Sequence, residues 1–181
     1  MLRFFLVVLF GFLVYGENDS LLWNENYRLT WQDFKANPNK EVDAVALTVS
    51  GITFRYSLSQ KNNEDFAYRV IVEAHFYPEK SWYKSEASND HILLHEQLHF
   101  DLTELYARKL RKRISETKFT KQIRSELNRL NNEINDELDV TQNKYDLETN
   151  HSINTEAQKH WQDYIIKELE KLKAFQLKSN E

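Results

Sequence analysis

Cysteine is absent from the 181-residue chain. No disulfide can brace it, no N-terminal Cys can carry a lipid, and any metal site must be built from His, Asp and Glu. Three glycines and two prolines exclude long flexible linkers and low-complexity segments. No sign of charge dominates. The formal net charge is -4 with acids and bases interspersed, which excludes a polybasic nucleic-acid surface and an acidic tail. No internal repeat is visible, which excludes a solenoid. The long apolar run at the start, Phe4 to Tyr15 broken only by Gly11, is shorter than the roughly 20 residues that span a bilayer. Met1-Leu2-Arg3 precedes it and Val14-Tyr15-Gly16 follows it. This layout reads as a secretory signal peptide over residues 1–16. It predicts a secreted or periplasmic protein with a single domain over 17–181 and no stable membrane anchor after cleavage.

The chain is 41% hydrophobic and 13% aromatic, enough apolar surface for a packed core. Its front half is strand-like. Ala44 to Ser50 reads as a strand. Ile52, Phe54, Tyr56 and Leu58 alternate with polar residues, and Gly51 between the two runs suggests a bend or bulge. After the polar turn Lys61-Asn62-Asn63-Glu64-Asp65, the residues Phe66, Tyr68, Val70, Val72, Ala74 and Phe76 give the longest period-2 alternation in the chain. These segments predict an antiparallel sheet of about three or four strands.

The back half is helical. Ser88-Asn89-Asp90 can cap a helix that starts near His91, runs to about Arg113 and buries Leu94, Leu98, Leu102 and Leu105. Ile123, Leu127, Leu130, Ile134 and Leu138 form the stripe of a second helix. A polar break over Asn143 to Asn150 is expected to follow, and then a third helix with Ala157, Trp161, Tyr164, Ile165, Leu169 and Leu172. The fold class is α+β, with an antiparallel sheet first and three helices packed against it.

The first of these helices carries His95-Glu96-Gln97-Leu98-His99. Two histidines four residues apart lie on one side of a helix, about 6 Å apart along its axis, and can share one tetrahedral ion. Glu96 lies on the same flank, where a carboxylate can act as general base. A shuffled chain of this composition would hold such a match only about 0.02 times, so the motif is specific. His91 extends the spacing to a third turn but is too far along a straight helix to share the ion. It reads as a helix-start residue. His75 and His160 read as ordinary strand and helix residues.

Zinc needs a third protein ligand. A histidine six residues after His99 would supply one, but Leu105 stands there. Glu126, Glu133, Glu137 and Glu148 are formal candidates. The first three flank an apolar stripe and read as salt-bridge partners. His151, beside Tyr145, Asp146 and Thr149, is the better candidate. From spacing alone it reads equally as a residue at the start of the third helix.

Leu94-His95-Glu96-Gln97-Leu98-His99-Phe100-Asp101 resembles the active helix of an uncharacterised bacterial family of predicted secreted zinc-dependent proteases. The resemblance extends to Leu29-x-Trp31-x-Asp33-Phe34, Ser50-Gly51-Ile52, Ser81-Trp82 and Tyr145-Asp146-x-x-Thr149-x-His151, and so spans most of the mature chain. It implies a zincin-like fold, a Zn2+ cofactor and a polypeptide substrate. Under it, His95, His99 and His151 are the metal ligands and Glu96 is the base. Asp101 anchors the helix. Tyr145 is either a hydrogen-bond donor to the developing oxyanion or a buried structural residue. The family pattern has glycine after the last histidine, where this chain has Ser152. The resemblance also offers the Phe66 to Tyr77 strand as an edge for strand addition by an extended substrate, against an ordinary central strand.

The expected function is therefore that of a secreted zinc endopeptidase. The alternatives are a non-catalytic zinc-binding envelope protein, a zinc amidase acting on cell-wall or other non-protein amides, and a helical interaction module. No feature of the sequence fixes the oligomeric state.

Overall fold

A computed structural model describes residues 20–60 and 66–177. The signal peptide expected over 1–16 and the turn expected over 61–65 lie outside the described residues.

Strand β3 (Ser50–Gln60) pairs antiparallel with β4 (Phe66–Phe76) in a register that runs unbroken from Ser50 opposite Phe76 to Gln60 opposite Phe66. Gly51 therefore forms no bulge. It sits in the regular ladder opposite His75. The short strand β1 (Leu21–Leu22) pairs with the other side of β4 at Phe76 and His75, giving the order β1-β4-β3. The Trp23 N–H extends that contact by donating to the Ala74 carbonyl at 3.0 Å. β4 is thus the middle strand and not an open edge at its C-terminal end, because the N-terminal segment folds back along it. Of the strand expected over 44–50, only Ala46–Leu47 (β2) forms a ladder of its own, with β5 (Trp82–Tyr83).

Three helices follow, as the apolar stripes predict. α1 spans Asp90–Glu116, and its N-cap Asn89 accepts the Ile92 N–H at 3.0 Å. α2 spans Ile123–Thr149, and α3 spans Thr155–Lys171 behind its cap Asn154. The polar break expected at 143–150 is in fact the last two turns of α2. Asn143, Lys144 and Glu148 face solvent there, but Tyr145 and Thr149 are fully buried and continue the stripe of Leu130, Ile134 and Leu138. Packing of that stripe outweighs the modest helix propensity of its polar neighbours.

The core lies between the inner face of the sheet and the helices. Ile52, Val72 and Ala74 pack with Leu98, Leu102 and Leu105 of α1 and with Leu127, Ile134 and Ile165 of the other helices. α1 is covered on almost every side from His95 to Arg108. Its buried polar groups are accordingly paired. Asp101 accepts from Trp23 Nε1 at 2.8 Å, from Arg28 at 3.1 Å and from Gln97 at 2.8 Å. Glu104 accepts from Arg108 at 2.9 Å and Arg111 at 3.0 Å. Truncating Leu102 to alanine would cost roughly 2–5 kcal/mol, so the helix that carries the motif is a rigid platform. Among the described residues, no helix is long and apolar enough to cross a membrane.

Candidate metal centre

The two motif histidines project from the first turns of α1 toward the C-terminal end of α2. His95 Nε2 and His99 Nε2 are 3.2 Å apart. Asp146 Oδ1 lies 3.1 Å from the first and 2.9 Å from the second. Three donor atoms thus form a nearly equilateral triangle. Tetrahedral zinc with bonds of about 2.0–2.1 Å requires donors about 3.3 Å apart, so the residues fit such an ion. Among the described residues this is the one group of three His, Cys, Asp or Glu side chains close enough to hold a metal.

The tautomer of His99 supports the same conclusion. Gln142 clamps His99 at both ends. Its Oε1 accepts the Nδ1–H in a very short hydrogen bond, and its Nε2 donates to the His99 carbonyl at 3.0 Å. His99 Nε2 is therefore left with its lone pair directed at the cluster. A histidine lone pair facing a carboxylate oxygen at 2.9 Å in a mostly buried site calls for a cation, either a proton or a metal. The charges respond accordingly. Burial lowers the affinity of His99 for a proton, but the hydrogen bond to Asp146 and the charges of Glu96 and Asp146 outweigh it, and its pKa is raised. Burial pushes the Asp146 carboxyl up, yet the hydrogen bonds from His95 and His99 hold it far below the ordinary carboxylate range. His95 Nδ1 is buried without a partner.

Tyr145 forms the back wall. Its ring stacks on His95 with centroids 4.5 Å apart and meets His99 edge-on at 4.9 Å. It is fully buried, and its hydroxyl donates to the His95 carbonyl at 3.4 Å. It occupies the structural position of the two offered by the sequence, behind the histidines and away from solvent. Burial first, and then the charges of Glu96 and Asp146, raise its pKa far above the usual value. Glu96 is buried beside the cluster, and its carboxylate has no ion pair among the described residues. The Thr48 hydroxyl donates to the Glu96 carbonyl at 3.3 Å, which places the Ala46–Ser50 segment alongside the motif.

His151 stands at the rim. Its side chain is 76% exposed, and its Nδ1 is 3.9 Å from Asp146 Oδ1. The triangle closes without it. His91 lies one turn before the motif and bonds through Nε2 to the Ser152 carbonyl at 2.6 Å, outside the cluster. The formal glutamate candidates are engaged elsewhere. Glu126 accepts from Thr120, Glu133 from Arg129, Glu137 from Arg113 and Glu148 from Trp161. His75 bonds Ser20 at 3.1 Å on the outer face of the sheet, and His160 is exposed on α3.

Sequence reasoning missed Asp146 and Gln142. Their signal is present in the spacing. Leu138, Gln142, Asp146 and Thr149 follow one another at helical intervals, and reading residues 143–150 as a break conceals it.

A family model described as a bacterial protein of unknown function, DUF922, matches residues 25–152. The chain belongs to that family. The matched span contains the motif, the Gln142 clamp, Asp146 and His151. No curated protein and no solved structure matches the chain.

Proposed function

We propose that the protein is an exported zinc-dependent endopeptidase, with the ion held by His95, His99 and Asp146 and with Glu96 as general base. The observation that carries this reading is the donor triangle of 3.2, 3.1 and 2.9 Å, with a buried carboxylate one residue from its first histidine. Zinc supplies Lewis acidity there, polarising a carbonyl oxygen and making water a nucleophile at neutral pH. Glu96 takes the proton from the attacking water and returns it to the leaving amine. Three protein donors leave room for substrate, as catalytic zinc sites require. A pure binding site has no use for the base. Export rests on the signal-like residues 1–16, and the peptide substrate rests on the motif and the resemblance it supports.

The test is metal analysis of the purified protein together with casein hydrolysis by the wild type and by Glu96→Gln. Equimolar zinc in both proteins, with hydrolysis lost only in the variant, supports the proposal. Failure to retain zinc after reconstitution refutes it. Zinc retention without hydrolysis of any polypeptide directs attention to the amidase or binding-protein alternatives.

A further inference from the structure

The turn joining α2 to α3 holds three consecutive non-glycine residues in left-handed backbone: Asn150 at φ 46°, His151 at 51° and Ser152 at 75°. Asn150 is explained as the left-handed cap that ends α2. The His151 N–H completes that cap on the Asp146 carbonyl, but the cap does not require a positive φ at His151 or Ser152, and such conformations are costly for residues that carry a Cβ. The turn is nonetheless firmly held. His91 Nε2 donates to the Ser152 carbonyl at 2.6 Å, the His151 N–H donates to the Asp146 carbonyl at 2.9 Å, and the Asn154 N–H donates to the Thr149 carbonyl at 2.7 Å. The effect of this strain is to place the exposed His151 imidazole 3.9 Å from Asp146 Oδ1, the oxygen that both motif histidines face. That separation is too long for a hydrogen bond, and the imidazole has no other hydrogen-bond partner among the described residues. Tyr145, the other donor near the cluster, is sealed behind the histidines with its hydroxyl on a backbone carbonyl.

We infer that His151 is the substrate-facing hydrogen-bond donor of the site and stands outside the ligand set, an inference that rests on the hydrolase reading above. As water adds to the scissile carbonyl carbon, the C=O π electrons move to oxygen, and the His151 N–H donates to that oxygen without giving up its proton. When the C–N bond breaks, the amine leaves with the proton that Glu96 took from water, and the acyl half becomes a carboxylic acid. The strained turn keeps the donor in place before substrate arrives, which is where a preorganised donor is most effective.

His151→Gly removes the imidazole at a φ that glycine tolerates, and His151→Gln keeps an N–H donor. Both are compared with the wild type in the zinc-loaded and cobalt(II)-loaded protein, with folding checked by circular dichroism. Both variants are expected to keep zinc affinity within about threefold and to leave the visible spectrum of bound cobalt unchanged. Acetohydroxamate should bind about tenfold more weakly to the Gly variant, as expected for one lost hydrogen bond. For casein, kcat should fall about 100–1000-fold with little change in KM, with partial recovery in the Gln variant. A hundredfold loss of zinc affinity or an altered cobalt spectrum would make His151 a ligand and overturn the inference. Unchanged acetohydroxamate affinity would overturn it as well. If the wild type cleaves no casein, the endopeptidase reading fails, while the acetohydroxamate and cobalt measurements still decide the role of His151. If the Gly variant does not fold, those two measurements are made on the Gln variant, and wild-type-like acetohydroxamate affinity in His151→Phe then counts against the inference.

Discussion

Replacing Asp146 with alanine removes one corner of the donor triangle and leaves the α1 motif intact. Zinc sites with four protein ligands bind with about 10–16 kcal/mol, or roughly 3 kcal/mol per ligand, so the affinity should fall about 100-fold. At a fixed excess of zinc, a 100-fold weaker site gives up about 2.7 kcal/mol of zinc-linked stabilisation. In a domain of this size that corresponds to about 5–10 °C less zinc-induced increase in Tm. The metal-free protein is also affected. Asp146 Oδ1 lies 3.1 Å from His95 Nε2 and 2.9 Å from His99 Nε2, and without the metal a proton on His99 takes the cation's place, so losing these charge-assisted contacts should cost about 1–3 kcal/mol. The two effects separate when the denaturation midpoint is measured with EDTA and again with excess zinc, alongside the zinc Kd by competition with a chromophoric chelator. The decisive quantity is the difference between the two midpoints. If Asp146→Ala binds zinc within threefold of wild type, the triangle is a proton-sharing network and the metal assignment is wrong.

Gln142→Leu should lower zinc affinity about 10–100-fold by freeing the His99 ring, and an unchanged Kd would show that the clamp has no such role. Ser152→Gly should raise stability by about 1 kcal/mol, because glycine adopts a φ of 75° without strain, and an unchanged or lower denaturation midpoint would refute the strain argument. The raised pKa of His99 gives the metal-free protein stability that is fully present below pH of about 6.5 and is lost as pH rises through the raised value. The depressed pKa of Asp146 gives stability present above pH of about 3.9 and lost as pH falls below it. The metal-free wild type should therefore lose more of its advantage over His99→Gln at pH 8.5 than at pH 5.5, and the opposite trend would rule out this account. Zinc held at this site would displace the His99 proton, so zinc affinity should rise over the same interval.

The sequence by itself determined whatever depends on neighbours along one element. The four-residue spacing of His95 and His99 becomes a shared direction because a helix rises about 1.5 Å per residue. The Asn89 cap, the three apolar stripes and the long alternation of Phe66 to Phe76 are equally local, and they suffice for the α+β class and the order of its parts. Where local signals conflicted, they misled. Gly51 reads as a bend or bulge, but an 11-residue ladder keeps it regular. Asn143 to Asn150 read as a break because their polar residues lie next to one another in sequence, whereas on the helix they face outward and Tyr145 and Thr149 face in.

The tertiary structure alone decided what completes the donor triangle. Asp146 is 51 residues from His95 and 47 from His99, and it meets them only because α2 packs its buried stripe against α1 at one register. The same packing brings Gln142 to both ends of His99, seals Tyr145 behind the imidazoles and leaves His151 on a strained turn at the rim. Spacing along a helix can propose two ligands and a base. Which third group arrives, and which stays beside the cluster, depends on how two helices far apart in sequence pack together.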